Sequence, residues 1–98
     1  MAKVRTISVK SGYGIDEVIK TAFVYRGYYA IKGQKSAYHT PNILRDNTHL
    51  GNVHDDDVFS MDHSCFDTAE YFKKVIDEHI EYLIGAHGSL EKYFALIY

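Results

Sequence analysis

The sequence of 98 residues contains no tryptophan, one proline and a single cysteine. One cysteine excludes an intramolecular disulfide, whereas small secreted domains usually carry several. The chain has no run of about 20 apolar residues, the length that a membrane-spanning helix needs. Its first residues also lack the apolar stretch of a signal peptide. We therefore expect a soluble, cytoplasmic protein with no membrane contact.

Apolar residues, by contrast, are plentiful. Hydrophobic residues make up 46% of the chain and aromatic residues 14%, with nine tyrosines. This composition is far from that of disordered chains, and the length suits one domain. We therefore expect a single domain over residues 1–98.

The net charge of −2 conceals a division of charge along the chain. Residues 1–45 carry eight Lys and Arg against two acidic residues, a balance of +6, whereas residues 46–98 carry three lysines against eleven acidic residues, a balance of −8. This asymmetry favours electrostatic recognition of a partner. It also permits self-association of basic half on acidic half, so we expect a homodimer that weakens with salt. A folded surface on which the charges intermix is the simpler alternative.

The first third of the chain is typical of strands and turns. Residues 3–10 are rich in β-branched side chains and predict a strand. In residues 15–24 apolar side chains recur at helical spacing, which predicts a helix. A strand that starts near Val18 is the alternative, because the same residues also favour a sheet. A further strand is predicted over Tyr28–Lys32.

The rest of the chain divides into a loop and a helix. Residues 33–65 lack periodicity and are predicted to form a long irregular loop, in which the short apolar pieces Ile43-Leu44 and Val58-Phe59 either attach to the core or form brief strands. Residues 67–84 predict the main helix, which begins at the cap Asp67 and ends at Gly85. Residues 90–98 suit either a helix or a strand. The predicted fold class is α+β. It has a small, largely antiparallel sheet from the N-terminal third, the long loop, and a C-terminal amphipathic helix packed on the sheet.

The leading functional hypothesis is a small regulatory or inhibitory protein that binds a protein partner. No catalytic motif is complete, which favours a binding protein over an enzyme and calls for no cofactor. Tyrosine, unusually frequent in this chain, is enriched at interfaces. The small size suits an accessory inhibitor of a phage or mobile element. The predicted partner-binding residues form an acidic face: Asp55, Asp56, Asp57, Asp62, Glu70, Asp77, Glu78 and Glu81.

An alternative hypothesis is a metal-dependent hydrolase, such as a phosphodiesterase or nuclease. Imidazoles and carboxylates are ligands that Zn²⁺ or Mn²⁺ accepts, and the bound metal activates water at neutral pH. The segment that carries these side chains, residues 49–63, lacks a His-Glu-x-x-His motif and the glycine of an EF-hand loop. A solvated acidic loop with incidental histidines is therefore the simpler interpretation. The candidate ligands are His49, His54, Asp55, Asp57 and His63.

A third hypothesis is single-stranded nucleic-acid binding by residues 25–35. Tyrosines alternate there with Arg26, Lys32 and Lys35, and such surfaces bind by base stacking and phosphate neutralisation. The simpler interpretation is a strand whose tyrosines pack on the core and whose lysines keep the edge soluble.

Overall fold

The first two strands form an antiparallel hairpin in the computed structural model, which describes residues 3–40, 44–55, 57–60 and 64–89. Strand β1 (Arg5–Ser11) confirms the prediction for this region, and β2 (Val18–Tyr25) pairs with it along its length. A 3₁₀ turn at Gly14–Asp16 lies between them. The predicted helix over residues 15–24 is therefore wrong, and the alternative strand from Val18 is confirmed.

The error over residues 15–24 has a physical cause in the position of β2. Between β1 and β3 (Tyr28–Ile31), β2 is covered on both faces at its C-terminal end, so consecutive residues 22–25 are all buried. A strand buried on both faces has a continuous apolar run rather than an alternating one. The exposed apolar residues before this run, at positions 15, 18 and 19, extend it into a helical spacing, so periodicity alone predicts the wrong element.

The described residues form one sheet of six strands in the order β5-β1-β2-β3-β4-β6. The three later strands are β4 (Ala37–His39), β5 (Thr48–His49) and β6 (Asp57–Phe59). The β1–β5 pair is parallel and the other pairs are antiparallel. The predicted irregular loop over residues 33–65 is thus wrong in part. These strands are two or three residues long, and β5 and β6 are defined by pairing with strands distant in the sequence, so little local pattern is left to read.

One helix, α1 (Ala69–His87), follows the sheet and packs on it. Its N-terminal cap is Thr68, whose hydroxyl accepts from the amide of Tyr71 at 3.1 Å, so the cap lies one residue after the predicted Asp67. The helix continues through the predicted stop at Gly85 and ends before Gly88, which has a φ of 89°. Residues 90–98 lie outside the described residues.

The two faces of the sheet are covered by different parts of the chain. Five residues of α1 are buried, namely Phe72, Val75, Ile76, Ile80 and Leu83. The helix-side core is a cluster formed by Phe23, Tyr25, Tyr28, Ala30, Ala37, Phe66, Phe72, Val75, Ile76 and Ile80. On the other face, Leu44 packs with Val24 and Tyr29, next to the half-buried Leu50 and Val53. The turn end of the β1–β2 hairpin extends beyond these clusters.

Candidate binding surfaces

The two described aspartates of the predicted acidic face that precede α1 and lie in or next to β6 bind tyrosine hydroxyls of the sheet. Asp55 accepts from the hydroxyl of Tyr29 at 2.9 Å, and Asp57 accepts from that of Tyr28 at 3.4 Å. Both aspartates are half-buried. These carboxylates therefore attach their segment of the chain to the sheet. Three of the predicted site residues lie outside the described residues: Asp56, Asp62 and His63.

Asp77 of α1 is neutralised within the protein. One carboxylate oxygen accepts from the Tyr25 hydroxyl at 2.7 Å and from Arg26 at 3.0 Å, and the other accepts from Lys73 at 3.0 Å. Burial alone raises the pKa of Asp77, but these three hydrogen bonds outweigh it and lower the pKa. This group of four side chains carries two positive charges against one negative charge. The acidic residues of α1 that remain exposed are Glu70, Glu78 and Glu81.

His49, one of the predicted metal ligands, uses both ring nitrogens in hydrogen bonds. Its Nδ1 accepts from the amide of Gly51 at 2.9 Å, so its Nε2 carries the proton and donates to the carbonyl of Gly12 at 2.6 Å. Among the described residues, no three His, Cys, Asp or Glu side chains lie close enough together to hold a metal ion. The structure therefore does not bring His49, His54, Asp55 and Asp57 together as a ligand set.

The tyrosines of the predicted nucleic-acid surface face the protein interior. Tyr25, Tyr28 and Tyr29 are each less than a tenth exposed. Tyr29 stacks on Tyr38 with 5.2 Å between ring centroids. Burial, together with the hydrogen bond and charge of Asp55, raises the pKa of Tyr29. The base-stacking part of the nucleic-acid hypothesis therefore lacks exposed rings at these three positions.

Sequence reasoning missed an exposed apolar surface at the turn of the β1–β2 hairpin, the hairpin tip. It comprises Tyr13, Ile15, Val18 and Ile19. Seven large hydrophobic side chains are exposed among the described residues, and four of them belong to this tip, with Ile15 fully exposed. The helix predicted for residues 15–24 assigned Ile15, Val18 and Ile19 to a buried face. The same spacing in a turn and a strand leaves them in solvent.

The base of the hairpin tip is held by His49, the last residue of β5. The ring of Tyr13 stacks on His49 at 4.6 Å between centroids, and His49 in turn bonds the carbonyl of Gly12. Gly12 has a φ of 86°, and a Cβ at this position would lie 2.5 Å from the carbonyl oxygen of Asp16. The turn is therefore a defined structure that requires glycine, and it presents Ile15 at a fixed place.

A second candidate surface, the basic pocket, lies at the opposite end of the same strands. Its volume is about 420 Å³, and the residues that line it include Lys3, Arg5, Arg26, Tyr29, Thr40 and Leu44. No acidic residue is among the described residues of its lining. The positions come from three separate stretches of the chain, so the sequence alone does not locate the pocket. The composition signal for it is the basic balance of residues 1–45.

Arg26 adopts an unusual backbone conformation at the rim of the basic pocket. The turn between β2 and β3 has two residues, Arg26 with a φ of 51° and Gly27 with a φ of 84°. Hairpin turns with two positive φ values strongly favour asparagine, aspartate or glycine at the first position. A non-glycine residue in this region costs about 1–2 kcal/mol. The Arg26 side chain forms an ion pair with Asp77 at 3.0 Å, although the backbone of Arg26 is in this unfavourable conformation.

The described residues contain no helix with the length and apolar character needed to cross a membrane. No protein-family model, curated protein or solved structure matches this chain.

Proposed function

We propose that this chain is a small regulatory or inhibitory protein that acts by binding a protein partner, and that the hairpin tip is its main contact. The observation that carries the proposal is the concentration of exposed apolar side chains at residues 13–19. Scattered apolar side chains are normal on a protein surface, whereas a cluster at one projecting turn is typical of a binding site.

The hairpin tip has two properties that favour specific binding. Tyrosine supplies a large ring with few rotatable bonds, and such residues are frequent among those that dominate binding energy. The stacking of Tyr13 on His49 and the bond from His49 to Gly12 order the tip before it meets a partner. A surface that is already ordered loses less conformational entropy on binding.

The energetic expectation follows from the apolar area of two side chains. Ile15 is fully exposed and Val18 is half-exposed, so both have area to bury against a partner. Full burial of such a side chain contributes about 1.5–3 kcal/mol. With incomplete burial, the pair contributes about 2 kcal/mol, which corresponds to about thirtyfold in the dissociation constant.

The proposal is tested by replacing Ile15 and Val18 with serine in one variant. The wild-type chain is used as bait in a lysate of its native host, and the captured protein is identified and purified. We expect the double variant to bind that purified protein about thirtyfold more weakly. Surface plasmon resonance with the full chain immobilised measures both dissociation constants.

A matched control replaces one valine and one isoleucine elsewhere. Val58 on β6 is 53% exposed against 51% for Val18, and Ile84 on α1 is also exposed. The Val58→Ser, Ile84→Ser variant should bind as tightly as the wild type. Equal binding by the wild type and the Ile15→Ser, Val18→Ser variant would contradict the assignment of the hairpin tip, and so would an equal loss in the control.

The acidic residues that remain exposed on α1 are proposed as a second contact, for a basic surface of a partner or of another copy of the chain. Glu70, Glu78 and Glu81 are available, whereas Asp77 is already paired. Opposite charges attract across a contact and are screened by salt, with a Debye length near 10 Å at about 0.1 M. This contact would bring basic and acidic halves of two copies together.

The self-association proposal has its own measurement. Sedimentation equilibrium at micromolar concentration should give twice the monomer mass at low salt and a mass that falls toward the monomer as salt rises. Replacing Glu78 and Glu81 with lysine should have the same effect as salt. A monomer at low salt would contradict the homodimer, and it would leave the hairpin tip assignment unaffected.

A further inference from the structure

We infer that the basic pocket is a binding site for a small organic phosphate, that is, a phosphate group carried on an apolar or aromatic body. The inference does not depend on the hairpin tip, because the two surfaces lie at opposite ends of β2. Seven residue steps from Val18 to Tyr25 correspond to about 23 Å along a strand.

The charge of the pocket selects an anion. Lys3, Arg5 and Arg26 line it, and no carboxylate is among its described lining residues. Asp77 forms an ion pair with the lining residue Arg26. Its negative charge is offset by the two positive charges of Arg26 and Lys73. The local balance among these side chains is therefore positive.

The two arginines are held in place and keep donors for a ligand. Arg5 donates to the carbonyl of Leu44 at 2.8 Å, and Arg26 donates to Asp77 at 3.0 Å. A guanidinium has five N–H donors in a planar fork, so one bond leaves four. A guanidinium held by one bond keeps further donors for a phosphate, and its planar fork matches phosphate oxygens better than a lysine does.

The remainder of the lining selects an apolar body. Val24, Tyr29 and Leu44 line the pocket and belong to the core cluster on this face of the sheet. A volume of about 420 Å³ lies within the range of small-molecule sites, which is roughly 300–1,000 Å³. Such sites are mainly apolar with a few convergent polar groups. An inorganic phosphate ion would leave the apolar part of the pocket unfilled.

The backbone of Arg26 supplies an independent observation. Its φ of 51° is uncommon for a residue with a side chain, and Gly27, which would tolerate that angle, occupies the next position. Strained backbone persists where the surrounding structure holds it, and it concentrates at ligand sites. Here the strained residue belongs to the lining of a pocket that already contains two other cations, Lys3 and Arg5.

The test is a titration of the full ¹⁵N-labelled chain followed by NMR. Phenyl phosphate serves as the ligand, with inorganic phosphate and phenol as its two halves. We expect phenyl phosphate to shift the amides of Arg5, Gly27 and Leu44 in a saturable manner. It should bind at least tenfold more tightly than either half alone, because only the whole compound engages both the cations and the apolar wall.

Two variants and a control assign the binding to the pocket. Arg26→Gln should raise the dissociation constant of phenyl phosphate about tenfold, the effect of losing one charge-assisted hydrogen bond. Lys3→Gln should raise it several-fold without disturbing the fold, because Lys3 is exposed and lies before β1. Lys35→Gln, an exposed lysine outside the pocket lining, should leave it unchanged.

Three results would overturn the inference. One is the absence of saturable shifts at the pocket by about 10 mM phenyl phosphate. Another is an equal loss of binding in Lys35→Gln and Lys3→Gln, which indicates attraction by the overall basic surface. The third is binding of a single-stranded oligonucleotide at these amides while phenyl phosphate does not bind, which assigns the pocket to nucleic acid.

Discussion

Replacing Phe66 with alanine should lower the free energy of unfolding by about 3–5 kcal/mol. The side chain is fully buried although it belongs to neither a strand nor the helix. Its ring meets Phe72 edge-on at 5.3 Å between centroids. Alanine removes this ring from the helix-side core and leaves a cavity, so the loss includes both the transfer of the ring and the cavity. Because domains of this size are stable by about 5–15 kcal/mol, the change removes a large share of the total.

The backbone of Phe66 explains why the cavity cannot close easily. Its amide donates to the carbonyl of Gln34 at 2.9 Å, and its carbonyl accepts from the amide of Gly33 at 2.8 Å. These two bonds fix the main chain just before α1 against the segment after β3. A main chain fixed at both groups cannot shift to fill the space, so the cost should be in the upper part of the range.

Urea denaturation followed by circular dichroism measures the effect of the Phe66 substitution. Phe66→Leu, which keeps most of the apolar volume, is the control and should cost no more than about 1.5 kcal/mol. A loss below about 1 kcal/mol for Phe66→Ala would show that this residue does not anchor the helix to the sheet.

Helix α1 could be predicted from the sequence because its signals are local. Its buried residues recur at intervals of three and four: Phe72, Val75, Ile76, Ile80 and Leu83. Its cap, Thr68, is the residue directly before the helix. The errors concern the ends alone. Gly85 is a helix breaker by propensity, but an isolated glycine costs only about 1 kcal/mol within a helix and did not end this one.

The sheet could be predicted where a strand of four or more residues carries its own local pattern: β1 and β3 are confirmed, and β2 is confirmed only as the alternative to a helix. Strand β1 has seven residues and shows its β-branched pattern, whereas β5 has two residues and exists through its pairing with Val9 and Lys10. Thr48 and His49 contain no information about that pairing. Strands β4 and β6 have three residues each, too few for a local pattern, and they are defined by their pairing with β3 and with each other.

The candidate surfaces could be predicted in composition and not in location. The basic balance of residues 1–45 favours electrostatic recognition of a partner, but the pocket itself depends on Lys3, Arg26 and Leu44 meeting at one end of the sheet. Likewise, the sequence predicts Asp55 and Asp77 as partner-binding residues, because it does not show that Tyr29 and Arg26 bind them within the protein. A count of charged residues in the sequence does not show which of them form ion pairs or hydrogen bonds in the folded protein.

Replacing Tyr29 with alanine should have an effect as large as that of Phe66→Ala, about 3–5 kcal/mol in the free energy of unfolding. Tyr29 is 4% exposed, packs with Val24 and Leu44, and stacks on Tyr38. Tyr29→Phe keeps the ring and removes only the hydroxyl, so it should cost about 1–2 kcal/mol through the bond to Asp55. The pair of variants separates ring packing from hydrogen bonding. A base-stacking role for Tyr29 predicts instead that alanine changes stability by less than about 0.5 kcal/mol.

The pH dependence of the same variants tests the Tyr29–Asp55 bond directly. Burial, together with the bond and charge of Asp55, raises the pKa of Tyr29 in the folded state above its ordinary value of 10.0. The stabilisation is therefore fully present below pH 10, where both states hold the proton, and it is lost as the pH rises and only the unfolded tyrosine ionises. Urea denaturation at pH 8 and pH 11 should show that the advantage of the wild type over Tyr29→Phe narrows at the higher pH. An advantage that stays constant or widens would show that the Tyr29 hydroxyl ionises as easily in the folded protein as in the unfolded chain.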